Sequence, residues 1–200
     1  MSYKPIIIIA GEPNSIFFEI FFKSITSNYF KSPLIIIASK ELMNQQMKKL
    51  DFNLKINLIT EDYSNMNRLN NKKINIINVN YNFKKPFEKI SPKSNDYIAE
   101  CFKLALRLIK KNKYLKLING PISKKSFLDG KSLGITEYLA QKTKRKNKAV
   151  MLIFNKKLSV SPLTTHLALK NVHKHISKQK IYTHIKLITE FYKKNFNKKP

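Results

Sequence analysis

The sequence predicts an α/β fold with a largely parallel sheet, and three observations carry that prediction. Short β-branched apolar runs alternate with segments of helical period along most of the 200 residues. The first runs lack polar alternation, as strands buried on both faces require. Gly11, Gly120 and Gly134 stand at junctions between elements and Gly130 stands in a loop, in a chain with only 4 glycines. In so glycine-poor a chain these mark backbone positions where a side chain does not fit.

Lys4–Ala10 reads as a buried strand ending at Gly11-Glu12-Pro13. Asn14 or Ser15 can cap the next helix, whose apolar positions Ile16, Phe17, Ile20 and Phe21 follow helical spacing. Leu34–Ala38 is a second strand, and Ser39 caps a short helix over Glu41–Leu50. Leu54–Thr60 and Ile74–Val79 are strands around a polar, asparagine-rich loop at Glu61–Lys73. Asn80–Lys93 is a proline-bearing connection to the clearest helix, Asn95–Lys111, with Ile98, Phe102, Ala105, Leu106 and Ile109 on one face. Leu115–Ile118 is a strand ending at Asn119-Gly120-Pro121.

Beyond it the pattern changes. Ser126–Leu133 is a loop or broken helix around Gly130, and Thr136–Thr143 is a helix. Ala149–Phe154 and Lys157–Val160 are strands joined by a turn at Asn155-Lys156. Leu167–Ile176 and Ile181–Phe196 are helices, the last burying Ile181, Ile185, Ile188 and Tyr192. The chain therefore divides into a first α/β domain over residues 1–125 and the start of a second over residues 126–200.

Composition narrows the function classes. The net charge of +27 would point to nucleic acid or an anionic membrane. Nearly all of it is lysine spread along the chain, and arginine occurs only at Arg68, Arg107 and Arg145. Arginine is the residue suited to bidentate phosphate and base recognition. A solvated lysine surface is thus favoured over a nucleic-acid stripe, and a non-catalytic basic protein binding nucleic acid or anionic partners is the alternative. Cys101 is the sole cysteine, so no intramolecular disulfide forms. The run Ile6–Ile9 is too short for a signal-peptide core or a membrane span, and a cytoplasmic location is expected.

Four stretches can hold chemistry. Gly11-Glu12-Pro13-Asn14-Ser15 opens a helix but lacks the later glycines of a dinucleotide fingerprint. Asn119-Gly120-Pro121-Ile122-Ser123-Lys124 is not a Walker loop, and Lys124 can meet an anion as a point charge. In Gly134-Ile135-Thr136-Glu137, Thr136 either binds an anionic ligand or caps the helix, and Glu137 suits a first turn on dipole grounds. Thr164-Thr165-His166 places an imidazole at a strand-to-helix junction, where it can bind a metal or move a proton. His173 lies about 10 Å of helical rise further on, too far to share an ion.

Together these stretches, with Leu167-Ala168-Leu169 after the histidine, resemble 4-hydroxythreonine-4-phosphate dehydrogenases of pyridoxal phosphate biosynthesis in order and approximate spacing. The resemblance implies a three-layer α/β/α fold of the isocitrate/isopropylmalate dehydrogenase type and a homodimer. It implies NAD-dependent oxidation of a secondary alcohol in 4-phosphohydroxy-L-threonine, followed by decarboxylation. It also implies a divalent metal (zinc, magnesium or cobalt) on the alcohol oxygen. By motif position His166 matches a metal ligand, Thr136 a substrate-binding threonine, and Lys124 the lysine of a Gly-Pro-x-x-Lys element. The family usually has His where this chain has Ile135. It is also longer, with an Asn-Pro-His metal motif beyond the position of Pro200. The resemblance therefore implies a truncated fold and an isolated chain that does not turn over. It assigns no catalytic or NAD-binding residue here.

Overall fold

The computed structural model describes residues 3–61, 69–111, 116–130, 132, 134–145 and 149–200. They form two compact units, Met1–Asp129 and Gly130–Pro200.

The first unit is built on a wholly parallel five-stranded sheet. Its strands are β1 (Ile6–Ile9), β2 (Leu34–Ala38), β3 (Ile56–Leu58), β4 (Ile74–Asn78) and β5 (Lys116–Asn119), in the order β3-β4-β2-β1-β5. Register sets Ile7 against Ile35 and Leu117, and Ile36 against Ile76. Every residue of β2 is buried, as are Ile7, Ile8 and Ile9 of β1. That double burial is why these runs carry no polar alternation.

Side chains of one sheet face, including Ile8, Ala10, Leu34, Ile36 and Ala38, pack against α1 (Phe17–Ser27) and α2 (Lys40–Lys49). The α3 helix (Asn95–Lys111) packs against β1 and β2 and buries Ile98, Cys101, Phe102, Ala105 and Leu108. The alternate residues Ile7, Ile9, Ile35 and Ile37 are fully buried and lie outside the α1/α2 cluster, so α3 covers the opposite face. Burial of each full isoleucine or phenylalanine side chain contributes roughly 1.5–3 kcal/mol.

Several expectations are corrected. Ile16 and Ile20 do not face the core, being 62% and 54% exposed. The α1 face is chosen by phenylalanines one position away: Phe18, Phe21 and Phe22 are buried. Phe17 stacks on Phe21 at 5.9 Å and Phe18 on Phe22 at 5.7 Å. Neither Asn14 nor Ser15 occupies the N-cap, which is Ile16 without a side-chain cap. Ser15 Oγ accepts from the Phe17 N–H, and Asn14 Oδ1 accepts from the Glu88 N–H. Ser39 does cap α2, accepting from the Leu42 N–H at 3.3 Å. The expected strand over Leu54–Thr60 shortens to β3, an edge strand paired on one side only. On α3 the core face runs through Cys101 and Leu108, leaving Leu106 and Ile109 half-buried. Most of the loop expected at Glu61–Lys73 and two residues of Ser126–Leu133 lie outside the described residues. The described part of the latter includes a π-helical turn over Lys124–Leu128.

In the second unit, α4 spans Ile135–Lys142 and α5 spans Lys178–Phe196, with a 3₁₀ segment at Leu169–His175. The α-helix expected at Leu167–Ile176 is thus a tighter, shorter 3₁₀ element. The two strands expected at Ala149–Phe154 and Lys157–Val160 reduce to one antiparallel bridge, Ile153 to Val160. The Asn155 turn absorbs the rest: Asn155 Oδ1 accepts from the Lys157 N–H, and the Asn155 N–H donates to Ser159 Oγ. Ser177 caps α5 through the Lys180 N–H. No α5 residue is fully buried, and Ile181 and Ile185 are exposed, contrary to the expected apolar contact.

Candidate functional site

The strongest candidate site lies within the second unit, at the start of α4. Gly134 holds the N-cap position, buried and in extended backbone, and supplies no side-chain cap. The first-turn N–H groups of α4 are therefore free of intrahelical partners and present a partial positive charge. A Cβ built on Gly134 would lie 2.9 Å from Glu137 Oε2 and 3.8 Å from His166 Nε2. The motif Gly134-Ile135-Thr136-Glu137 and the motif Thr164-Thr165-His166 thus meet beside Gly134.

His166 is exposed and has φ 55°, in the left-handed region. That conformation is uncommon for any side-chain-bearing residue and costs about 1–3 kcal/mol where it is enforced. It turns the backbone at the junction so that the ring Nε2 comes beside Gly134. Ile135, Thr136 and Glu137 are all half-buried. Among the described residues neither the Glu137 nor the His166 side chain has a hydrogen-bond or ion-pair partner. An imidazole nitrogen is a donor that suits a divalent cation, so His166 by its chemistry fits a single place in a ligand set. Among the described residues no group of three or more His, Cys, Asp and Glu side chains gathers as a complete one.

Lys124 belongs to the first unit. It is exposed and opens the π-helical turn, behind Ser123, whose Oγ accepts from the Ser126 N–H at 3.1 Å. The structure brings His166 beside Gly134, at the turn that opens into Ile135 and Thr136, and Lys124 is a residue of the first unit.

The motif after β1 serves packing. Gly11 (φ 77°) and Gly120 lie where the ends of β1 and β5 touch. A Cβ on Gly11 would lie 2.2 Å from the Pro121 carbonyl oxygen, and one on Gly120 2.2 Å from that of Ala10. The Glu12 N–H donates to Pro121 O at 2.8 Å, and the Gly120 N–H to Ile9 O at 2.7 Å. Glu12 itself is 2% exposed; its carboxylate accepts from Ser94 Oγ at 2.8 Å and from the Asn14 N–H at 3.3 Å. Burial pushes the Glu12 carboxyl upward, and the Ser94 and Asn14 bonds oppose that shift. A buried carboxylate at this turn is the wrong charge for a pyrophosphate, so the turn does not fit a dinucleotide.

Other polar pairs are structural. Ser161 Oγ lies 2.7 Å from His184 Nε2 and donates to the Met151 carbonyl at 2.6 Å. With its one proton committed there, Ser161 accepts from the imidazole and is not activated as a nucleophile. Desolvation, then the nearby Lys180 charge, lowers the His184 pKa. Cys101 is buried with its thiol pushed up to about 12, chiefly by desolvation, so it is unreactive in the fold.

The sequence reads Glu137 as a helix-dipole residue; the structure adds that its carboxylate stands beside Gly134.

A sequence profile described as "Pyridoxal phosphate biosynthetic protein PdxA" matches residues 30–200. A curated 4-hydroxythreonine-4-phosphate dehydrogenase from Sulfurihydrogenibium sp. (strain YO3AOP1) is 28% identical over 194 residues, covering 94% of this chain and 58% of the relative. A protein from Oceanobacillus iheyensis, named as a candidate D-threonate 4-phosphate dehydrogenase, is 27% identical over 196 residues, covering 95% and 58%. The crystal structure of 4-hydroxythreonine-4-phosphate dehydrogenase from Klebsiella pneumoniae superposes with a TM-score of 0.78 at 19% identity, covering 96% of this chain and 60% of that one. That likeness shows a shared α/β fold. The chain spans under two thirds of the length of these relatives.

Proposed function

The chain belongs to the pyridoxal phosphate biosynthetic protein PdxA family, and on that premise we propose that it forms part of an NAD-dependent, metal-assisted dehydrogenase. The substrate in this reading is 4-phosphohydroxy-L-threonine, oxidised at its secondary alcohol and decarboxylated on the way to pyridoxal 5'-phosphate. The names of the curated relatives support a dehydrogenase acting on a small phosphorylated hydroxy acid. The observation that carries the reading is the meeting of His166 with the Thr136 turn at Gly134.

His166 offers Nε2 to a divalent cation. When bound, such a cation favours loss of the alcohol proton and stabilises the negative charge left by departing carbon dioxide. Thr136 and the free N–H groups of the α4 first turn hold and orient an anionic part of the substrate. Ile135 places an apolar side chain where a histidine is usual, removing one polar contact. Lys124, by its motif position, is assigned an anion-binding role as a point charge. The reading further assigns an isocitrate/isopropylmalate dehydrogenase-type arrangement, domains over residues 1–125 and from 126 onward, a homodimer and a cytoplasmic location. No described helix is long and apolar enough to cross a membrane.

The test is NADH formation by the longest translation product containing these residues, with added metal. 4-Phosphohydroxy-L-threonine and D-threonate 4-phosphate are offered in parallel. Turnover of the first, improved by Ile135→His, is expected; preference for the second would reassign the substrate, and turnover of neither would reject the reading. The polypeptide of residues 1–200 alone, with one candidate histidine ligand, is expected to be inactive.

A further inference from the structure

We propose that Asn95 is a positioning residue for Lys124: its carboxamide holds the turn that carries the lysine, and so sets how tightly the enzyme binds the anionic end of its substrate. The inference rests on the reading of Lys124 as an anion-binding point charge and extends it to a residue with no assigned part in the reaction.

Asn95 opens α3, and its Nδ2 donates to the Ser126 carbonyl at 2.9 Å, inside the π-helical turn that Lys124 begins. A π-helical turn of five residues does not persist on its own account. Its internal bonds are few. Ser123 accepts from the N–H groups of Ser126 and Phe127, and the Asp129 N–H donates to the Lys124 carbonyl at 3.2 Å. Lys124 is thus bracketed by two ties from elsewhere in the unit. The Glu12 N–H holds Pro121 O at 2.8 Å before it, and Asn95 holds Ser126 O after it.

The platform behind Asn95 is rigid, since Ile98, Cys101, Phe102 and Ala105 of α3 are fully buried. Phe127 stacks on Phe102 at 5.9 Å and Leu128 is buried. That packing keeps the segment docked when the Asn95 bond is removed, so the loosening is confined to the part that carries Lys124. Asn95 Oδ1 is itself buried and, among the described residues, has no hydrogen-bond partner. An unpaired buried acceptor costs stability, so the use of this side chain lies in its donor. A fixed backbone lowers the ordering cost that an exposed lysine meets on binding an anion, which tightens binding without altering the chemical step.

The experiment is steady-state NADH formation from 4-phosphohydroxy-L-threonine by the longest translation product containing residues 1–200, with thermal melts on every variant. The variants are Asn95→Ala, Asn95→Asp, Lys124→Ala, the double variant of Asn95→Ala with Lys124→Ala, and the control Asn71→Ala. Aspartate at position 95 suits the first turn of a helix but cannot donate to Ser126. Asn71 is a carboxamide tie of the same kind elsewhere, donating to Phe30 O and Ser32 O. Both Asn95 variants are expected to raise KM about three- to tenfold at near-wild-type kcat, and Lys124→Ala to raise it about tenfold or more. Asn95→Ala should add nothing once Lys124 is alanine. Asn71→Ala should lower the melting temperature and leave KM alone. Unchanged KM in both Asn95 variants alongside a raised KM in Lys124→Ala would overturn this inference and leave the lysine its role. A full Asn95→Ala effect in the Lys124→Ala background, an equal rise in Asn71→Ala, or a fall in kcat in place of a rise in KM would overturn it as well. Unchanged KM in Lys124→Ala, or no turnover by the unaltered protein, would overturn the parent reading and this inference with it.

Discussion

Glu12 shows at the scale of one residue how a motif can be legible in place while its partners are not. The turn after β1 was legible because Gly11 interrupts an isoleucine run. What the turn does was not, because the partners of Gly11 and Glu12 come from Pro121 and Ser94, about a hundred residues away in sequence. Glu12 has a raised pKa in the fold because burial disfavours its charged form. Folding therefore takes up a proton near that pKa. The associated stability is full below the unfolded carboxyl value and is lost as pH rises through the folded one. Wild-type melting temperature relative to Glu12→Gln should accordingly fall between acidic and neutral pH; a difference that is flat with pH would contradict the assignment. Gly120→Ala places a methyl group 2.2 Å from the Ala10 carbonyl, an overlap with rigid backbone. A loss of about 3 kcal/mol in urea unfolding is expected, at the upper end for overpacking. Gly134→Ala meets only a movable carboxylate and should cost far less.

At the scale of elements, legibility followed burial. Strand β2 was readable to the residue because every position is buried and its pattern admits no other use. Helix α2 was readable because Ser39 accepts from the Leu42 N–H, which makes the start local in sequence. Ser39→Ala should lower stability by about 1 kcal/mol, measured by chemical denaturation. Helix α1 was placed with its face half right: Phe17 and Phe21 meet the core while Ile16 and Ile20 do not, since isoleucines and phenylalanines both recur at i, i+4 and only packing selects between them. The 149–160 segment misled most. Its apolar residues have strand composition, yet Ile153, Leu158 and Val160 are exposed and a single bridge forms. Composition reports β propensity, but a strand also needs a neighbour to pair with. The 3₁₀ segment at Leu169–His175 buries no residue, so nothing holds it in a regular α-helix.

For the molecule as a whole, the first unit has a conventional core, and the second unit exposes much of its apolar side-chain surface. In that unit Phe154 stacks on Phe196 at 4.8 Å, and Tyr192 donates to Ser159 Oγ at 2.9 Å, so α5 is anchored to the 151–161 segment mainly along one edge. His166 and Thr136 were named from their motifs; the approach of His166 to the Gly134 turn was not legible, because it depends on a left-handed turn at His166 and on the absence of a Gly134 side chain. The central claim is that this neighbourhood serves a metal-assisted dehydrogenase. Its most direct test is NADH formation from 4-phosphohydroxy-L-threonine by the longest product containing residues 1–200, after chelation and metal re-addition, with and without His166→Ala. The account predicts activity that vanishes on chelation, returns with metal, and does not return in the variant. Activity that survives in His166→Ala would contradict it.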